Sequence, residues 1–161
     1  MLPICGPCSK RAILCPECQK LYDDGAIGVL DIEVSRIVAE IVEDDVDIMH
    51  AVATRDRVII VAAEEHIGAI IGESGSSIRE ISARLGKKAK VIGAGDFEKL
   101  ARALIAPVRV KSINTVRLPG GGKSLRVRVN RSDISDLRMD PCDLDKVISS
   151  VTEIPVQLIF D

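Results

Sequence analysis

Four of the five cysteines fall in two C-x-x-C pairs, Cys5-Gly6-Pro7-Cys8 and Cys15-Pro16-Glu17-Cys18, with six residues between them. Two thiolates spaced by two residues can turn onto one ion, and two such knuckles complete the tetrahedral four-sulfur set that zinc prefers. A segment this short has no core of its own, so a structural Zn2+ held by Cys5, Cys8, Cys15 and Cys18 would supply its folding free energy. Lys10, Arg11 and Lys20 offset the negative charge of four thiolates on one ion. The interval is shorter than in many zinc ribbons, which leaves the scaffold open. Cys-Gly-Pro-Cys also suits dithiol redox catalysis, but that chemistry needs the motif after a buried strand, and only Met1 to Ile4 precede it. An iron–sulfur cluster is a further alternative whose usual spacing these pairs lack.

A second group of residues suits an anion. The run Ile71-Gly72-Glu73-Ser74-Gly75-Ser76-Ser77-Ile78 joins two short helical patterns through a turn bracketed by glycines. Glycine accepts positive φ and lets the backbone approach a ligand with no Cβ between. A helix opening at Ser76 and Ser77 would aim unpaired N–H groups and the positive end of its dipole at that turn, which suits a phosphate. The plain alternative is a tight turn between helices. Glu73 places a negative charge in the loop, and Arg79, Arg84, Lys87, Lys88 and Lys90 follow it.

The densest positive stretch lies further on. Between Pro107 and Arg131 stand Arg109, Lys111, Arg117, Lys123, Arg126, Arg128 and Arg131, with no acid. Alternation along a strand puts Arg126 and Arg128 on one face and Leu125, Val127 and Val129 on the other. Such a stripe can follow a phosphate backbone, with binding that weakens as salt rises; the alternative is an edge hairpin kept soluble by charge. His50 and His66 have no sequence partners that suggest catalysis, and no Walker loop or dinucleotide fingerprint is present. We expect no enzyme.

The elements that must position these residues read as follows. Asp31 serves as N-cap of an amphipathic helix carrying Val34, Ile37, Val38, Ile41 and Val42. Residues 48–54 and 57–62 form an antiparallel pair. Ile67, Ile70 and Ile71 make a short helix, and Ile78, Ile81 and Leu85 make another that Gly86 closes. Residues 89–92 form a strand. The same order then repeats: a helix capped by Asp96 and stopped by Pro107, a hairpin of residues 108–118 and 125–130 across Gly120-Gly121-Gly122, two helical stretches, and a strand at 155–160. A shift of 67 positions lays Ile67 on Ile134 and Val91 on Leu158, with a one-residue slip between. The expectation is an α+β protein with a duplicated unit.

Composition sets outer bounds. The chain has 161 residues, 47% hydrophobic, with 22 Lys plus Arg against 24 Asp plus Glu and a formal net charge of −2. The longest apolar run, residues 58–63, is far short of the roughly 20 a membrane helix needs, so no membrane partner is expected. The N-terminus lacks the pattern of a secretory signal, and we expect a cytoplasmic protein. With no Trp, one Tyr and two Phe, an aromatic base-stacking platform is excluded as the main working surface.

Taken with the flanking strands, the apolar helix, the Gly72-Glu73-Ser74-Gly75 loop and the helix carrying Ile78 and Ile81 resemble a KH domain, a reader of single-stranded nucleic acid. The helix-first order resembles the type II (αββααβ) KH arrangement of the transcription factor NusA and of a ribosomal small-subunit protein, and two tandem copies resemble archaeal NusA-like proteins. The resemblance implies two tandem NusA-type KH domains, at 31–94 and 95–161, preceded by a zinc knuckle at 1–24. It implies binding of single-stranded RNA in transcription elongation, termination or antitermination, with the backbone gripped at residues 72–75 and bases laid against Ile71, Ile78 and Val91. The second copy has Met139-Asp140-Pro141-Cys142 in place of the glycines, so it is expected not to clamp backbone in the usual way. The other reading is an adaptor docking on RNA polymerase or the ribosome through the zinc segment.

Overall fold

The computed structural model describes residues 2–55, 57–95, 97–137 and 154–161. The residues expected to replace the glycine loop in the second copy, its later helix with Leu144, Val147, Ile148 and Val151, and the cap Asp96 lie outside the described residues. The chain divides into two compact units, Met1–Gly95 and Asp96–Asp161.

The first unit opens with two short helices, α1 (Gly6–Ser9) and α2 (Pro16–Asp23), followed by α3 (Val29–Ile41). Then come β1 (Ile48–Ala53), β2 (Arg57–Ala62), α4 (Ile67–Ile71), α5 (Ser76–Leu85) and β3 (Lys88–Gly93). The strands form a sheet in the order β1-β2-β3, with β1 antiparallel and β3 parallel to β2. From α3 onward the order is the expected αββααβ. Period-3.6 apolar positions of α3 (Val34, Val38) meet alternate positions of β2 (Val58, Ile60, Ala62) and β3 (Ala89, Val91), with Ile70 and Ile81 closing the core from α4 and α5. Ser82 locks α5 to the sheet: its hydroxyl donates to the Ile78 carbonyl at 2.7 Å and accepts the Ala89 amide at 2.9 Å.

The start of α3 departs from expectation. The helix begins two residues before Asp31, with Gly28 as N-cap. Asp31 instead sits in the first turn, 7% exposed, and bridges two elements: one carboxylate oxygen accepts the Gly28 amide and the other the Ala51 amide, each at 2.8 Å. Ala51 lies on β1, an outer strand of its sheet, so Asp31 satisfies an amide with no strand beside it.

The second unit holds α6 (Phe97–Ile105), β4 (Val110–Arg117), β5 (Lys123–Val129), a 3-10 turn at Arg131–Asp136 and β6 (Val156–Phe160). Its sheet runs β4-β5-β6, again with an antiparallel first pair and a parallel second. The pairing matches that of the first unit. Val58 faces Ala89 and Leu125 faces Val156, so the partner lies 31 positions on in both ladders, and the two ladders are 67 positions apart with no slip. Each antiparallel pair also carries an irregularity at the same rung, between Ile48 and His50 in one and Val110 and Ser112 in the other.

Among the described strand pairings, the difference lies at the hairpin tips. Ala53 pairs with Val58 across four intervening residues, whereas the corresponding Thr115 and Leu125 enclose nine, including two further rungs, Val116 with Ser124 and Arg117 with Lys123. The second hairpin is thus a longer, basic version of the first. Among the described residues, no helix is long and apolar enough to cross a membrane.

Candidate metal centre and nucleic-acid interface

Each C-x-x-C pair is built on a helix start. Cys5 (φ −68°, ψ 160°) is the N-cap of α1 and Cys15 (φ −70°, ψ 165°) the N-cap of α2, with proline in the first two helical positions. Proline suits those positions because its missing N–H would lack a helical partner there. N-cap and third-residue side chains meet at the same helix end, so each helix presents two sulfurs together. All four Sγ atoms lie within 4.8 Å of one another, and Cys5 and Cys15 Sγ are 3.9 Å apart. Tetrahedral bonding at about 2.3 Å brings neighbouring sulfurs to about 3.8 Å. The four cysteines therefore lie close enough to hold one metal ion.

The two knuckles support each other crosswise. The Cys5 amide donates to Cys18 Sγ at 3.3 Å, and the Cys15 amide donates to Cys8 Sγ at 3.1 Å. The pKa of the Cys15 thiol is lowered to about 7, chiefly by the Cys18 amide and then by the Cys8 thiol. Burial pushes the Cys18 thiol up to about 12. Cys8 and Cys18 are buried beside Ile4 and Ile27, with Leu14 and Ile32 packed against them. Arg36 of α3 fastens this segment to the rest of the first unit, donating to the Cys8 carbonyl at 3.5 Å and the Ala12 carbonyl at 3.1 Å. Sequence reasoning missed Arg36, because an arginine on an amphipathic helix reads as a solvated residue.

The glycine loop follows α4. Gly72 (φ 77°, ψ 173°) leaves the helix, Ser74 (φ 54°) and Gly75 (φ 77°) both take left-handed backbone, and α5 starts at Ser76 with no side-chain cap. Gly72 is required twice over: its φ is positive, and a Cβ there would meet the Ser77 amide nitrogen and Cβ at 2.8 Å. Gly75 has open space, its nearest neighbours being Arg79 and Ile78 at 3.9 Å from a built Cβ. Gly72→Ala is therefore expected to cost about 2–3 kcal/mol in urea unfolding and Gly75→Ala only about 1. Equal losses would show that the Ser77 approach is not limiting.

The predicted binding residues separate into groups. Glu73, Ser74 and Ser76 are exposed on the loop, and Ile71, Gly75, Ser77 and Ile78 are half-buried beside them. Arg79 is exposed, and its guanidinium lies by Gly75, so the next turn of helix provides the positive charge absent between the glycines. Lys87 and Lys88 follow the far end of the ten-residue α5, about 15 Å from the loop along its axis. Lys87 donates to the Thr54 carbonyl at 3.2 Å, and Arg84 pairs with Glu40 and, at 3.2 Å, with Glu80. Val91 is in the core, 9% exposed, which leaves Ile71 and Ile78 as aliphatic walls beside the loop. His66 is structural, as its Nδ1 accepts the Asp47 amide at 2.9 Å.

Arg126 and Arg128 are exposed on β5 while Leu125, Val127 and Val129 are buried. The strand is central in its sheet, so edge protection does not account for their charge.

Residues 28–120 match the family described as KH domain. No curated protein matches the chain. A solved structure titled "Crystal structure of APE1850" aligns with 22% sequence identity and a TM-score of 0.48, covering 80% of this chain and 94% of that one.

Proposed function

The chain belongs to the KH domain family, and on that premise we propose that it binds single-stranded RNA at the loop Gly72-Glu73-Ser74-Gly75 and acts, like the NusA-like proteins it resembles, in transcription elongation, termination or antitermination in the cytoplasm. A KH domain supports a nucleic-acid-binding role. The observation that carries the reading further is the loop itself: three of its four positions, Gly72, Ser74 and Gly75, take positive φ and lead into an uncapped helix, with Arg79 alongside. Main-chain amides and one guanidinium suit a ribose-phosphate strand, while Ile71 and Ile78 offer apolar contact to bases.

Residues 1–24 form a zinc knuckle in this reading, residues 31–94 an intact KH domain and residues 95–161 a degenerate one that completes a tandem NusA type. Cys5, Cys8, Cys15 and Cys18 would hold the ion, whose contribution is structural: it fixes the two knuckles against α3. RNA polymerase or the ribosome is the proposed assembly partner. One observation favours the adaptor alternative. A groove of about 740 Å³ beside the metal centre is lined by Ile13, Tyr22, Val29 and Ile32 among others, and Ile13 is 81% exposed.

Changing Glu73-Ser74 to Asp-Asp adds negative charge at the proposed phosphate seat without altering the glycines. Single-stranded RNA should bind about tenfold more weakly in a mobility-shift assay, roughly 1.4 kcal/mol, with the thermal transition unchanged. Unaltered affinity would remove the loop from the mechanism. Absence of RNA retention by the wild-type chain even at low salt would leave the adaptor reading standing.

A further inference from the structure

We infer that the outward face of the β4-β5-β6 sheet is a second RNA surface, one that holds the phosphate backbone independently of the glycine loop. The shared register makes the comparison between units direct. Positions 67 apart on the second strands are equivalent, so Ile59 and Val61, both fully buried, correspond to Arg126 and Arg128, both exposed. The inward positions keep their character: Val58 and Ile60 correspond to Leu125 and Val127, all buried. Charge has replaced aliphatic surface on one face only, and on a central strand.

The neighbours on that face suit an anionic strand. Ser112 faces Arg128 and Asn114 faces Arg126 across the antiparallel ladder, while Gln157 faces Arg126 across the parallel one. Asn114 and Gln157 are exposed. No acidic residue stands among the strand positions of this face, and neither arginine has an acidic partner among the described residues. Residues two apart on a strand are about 6.7 Å apart, which lets each guanidinium grip its own phosphate through its planar fork of donors. The lengthened hairpin carries Arg117 and Lys123 at its tip, but alternation puts this rung on the side of Leu125, so the proposed face rests on Arg126 and Arg128. With no aromatic side chain on the face, contact is to backbone and therefore tolerant of sequence.

The inference rests on the reading of the chain as an RNA-binding protein, but it does not use the loop, so the two can fail separately. The test is fluorescence anisotropy of the full metal-loaded chain with a 20-nucleotide oligouridylate between 50 and 200 mM salt. Each phosphate contact to a single strand contributes about 0.7 to the slope of log affinity against log salt. Arg126→Ser with Arg128→Ser should flatten the slope by about 1.4, so that over this fourfold salt range affinity falls about sevenfold less than in wild type. Arg126→Lys with Arg128→Lys should retain the slope, and the serine effect should persist in the Glu73-Ser74 to Asp-Asp background. A serine variant with wild-type slope and an unchanged circular dichroism spectrum overturns the inference. Loss with the serine variant but none with the loop variant upholds it while removing the loop. Equal competition by polyglutamate of matched charge would reassign the face to acidic protein segments and overturn it.

Discussion

Asp31→Ala should lower the unfolding free energy by about 3–5 kcal/mol, read from urea denaturation of the metal-loaded chain. The carboxylate accepts two amides at 2.8 Å, one from the N-cap of its own helix and one from β1 twenty residues on, and only 7% of the residue is exposed. A hydrogen bond to a charged group contributes about 1.5–3 kcal/mol. Alanine removes both acceptors together. Asp31→Asn keeps one acceptor oxygen and should lose about half as much. A loss below about 1 kcal/mol for alanine would mean that water reaches both amides once the carboxylate is gone.

Stripping the metal should have the second large effect. We expect one zinc per chain in the purified protein, measured by inductively coupled plasma mass spectrometry. Its removal by a strong chelator should abolish hydrogen-exchange protection of α1 and α2 while β1, β2 and β3 stay protected. Zinc binding to short four-ligand peptides contributes apparent free energies of about 10–16 kcal/mol at neutral pH. Here two of the four residues buried in the local core, Cys8 and Cys18, would themselves be ligands, so little apolar packing would remain to hold the segment without the ion. Cys18→Ser should reproduce the loss. Retained protection in the chelated chain, or a purified chain with no bound metal, would assign the fold of this segment to Ile4 and Ile27 instead.

Much of the architecture was legible before the coordinates. Short β-branched runs bounded by charged or glycine turns identified the six strands of the described residues, and the duplicated strand order survives as two ladders with identical spacing. The glycine pair was legible because positive φ has so few other solutions. Other features depend on which atoms meet in space. An acid is favoured both at an N-cap and one turn inside a helix, so pattern alone could not tell that Asp31 sits in the first turn and reaches across to β1. Val91 and Ile71 are both aliphatic residues that the resemblance sets against bases, and only the strand's pleat sends Val91 into the core. The proximity of Ser77 to Gly72 and the pairing of Lys87 with Thr54 likewise arise from the turn of α5 and its end, not from local composition.

The reciprocal amide-to-sulfur bonds between the knuckles would make capture of a metal ion by the four sulfurs a joint event. The Cys5 amide serves the sulfur of Cys18, and the Cys15 amide serves that of Cys8. A half-site made of one pair alone would leave both its own sulfur and the opposite one without a donor, so a two-coordinate species gains little. If the four sulfurs take one ion, half-loaded chains would then be scarce beside fully loaded and empty ones.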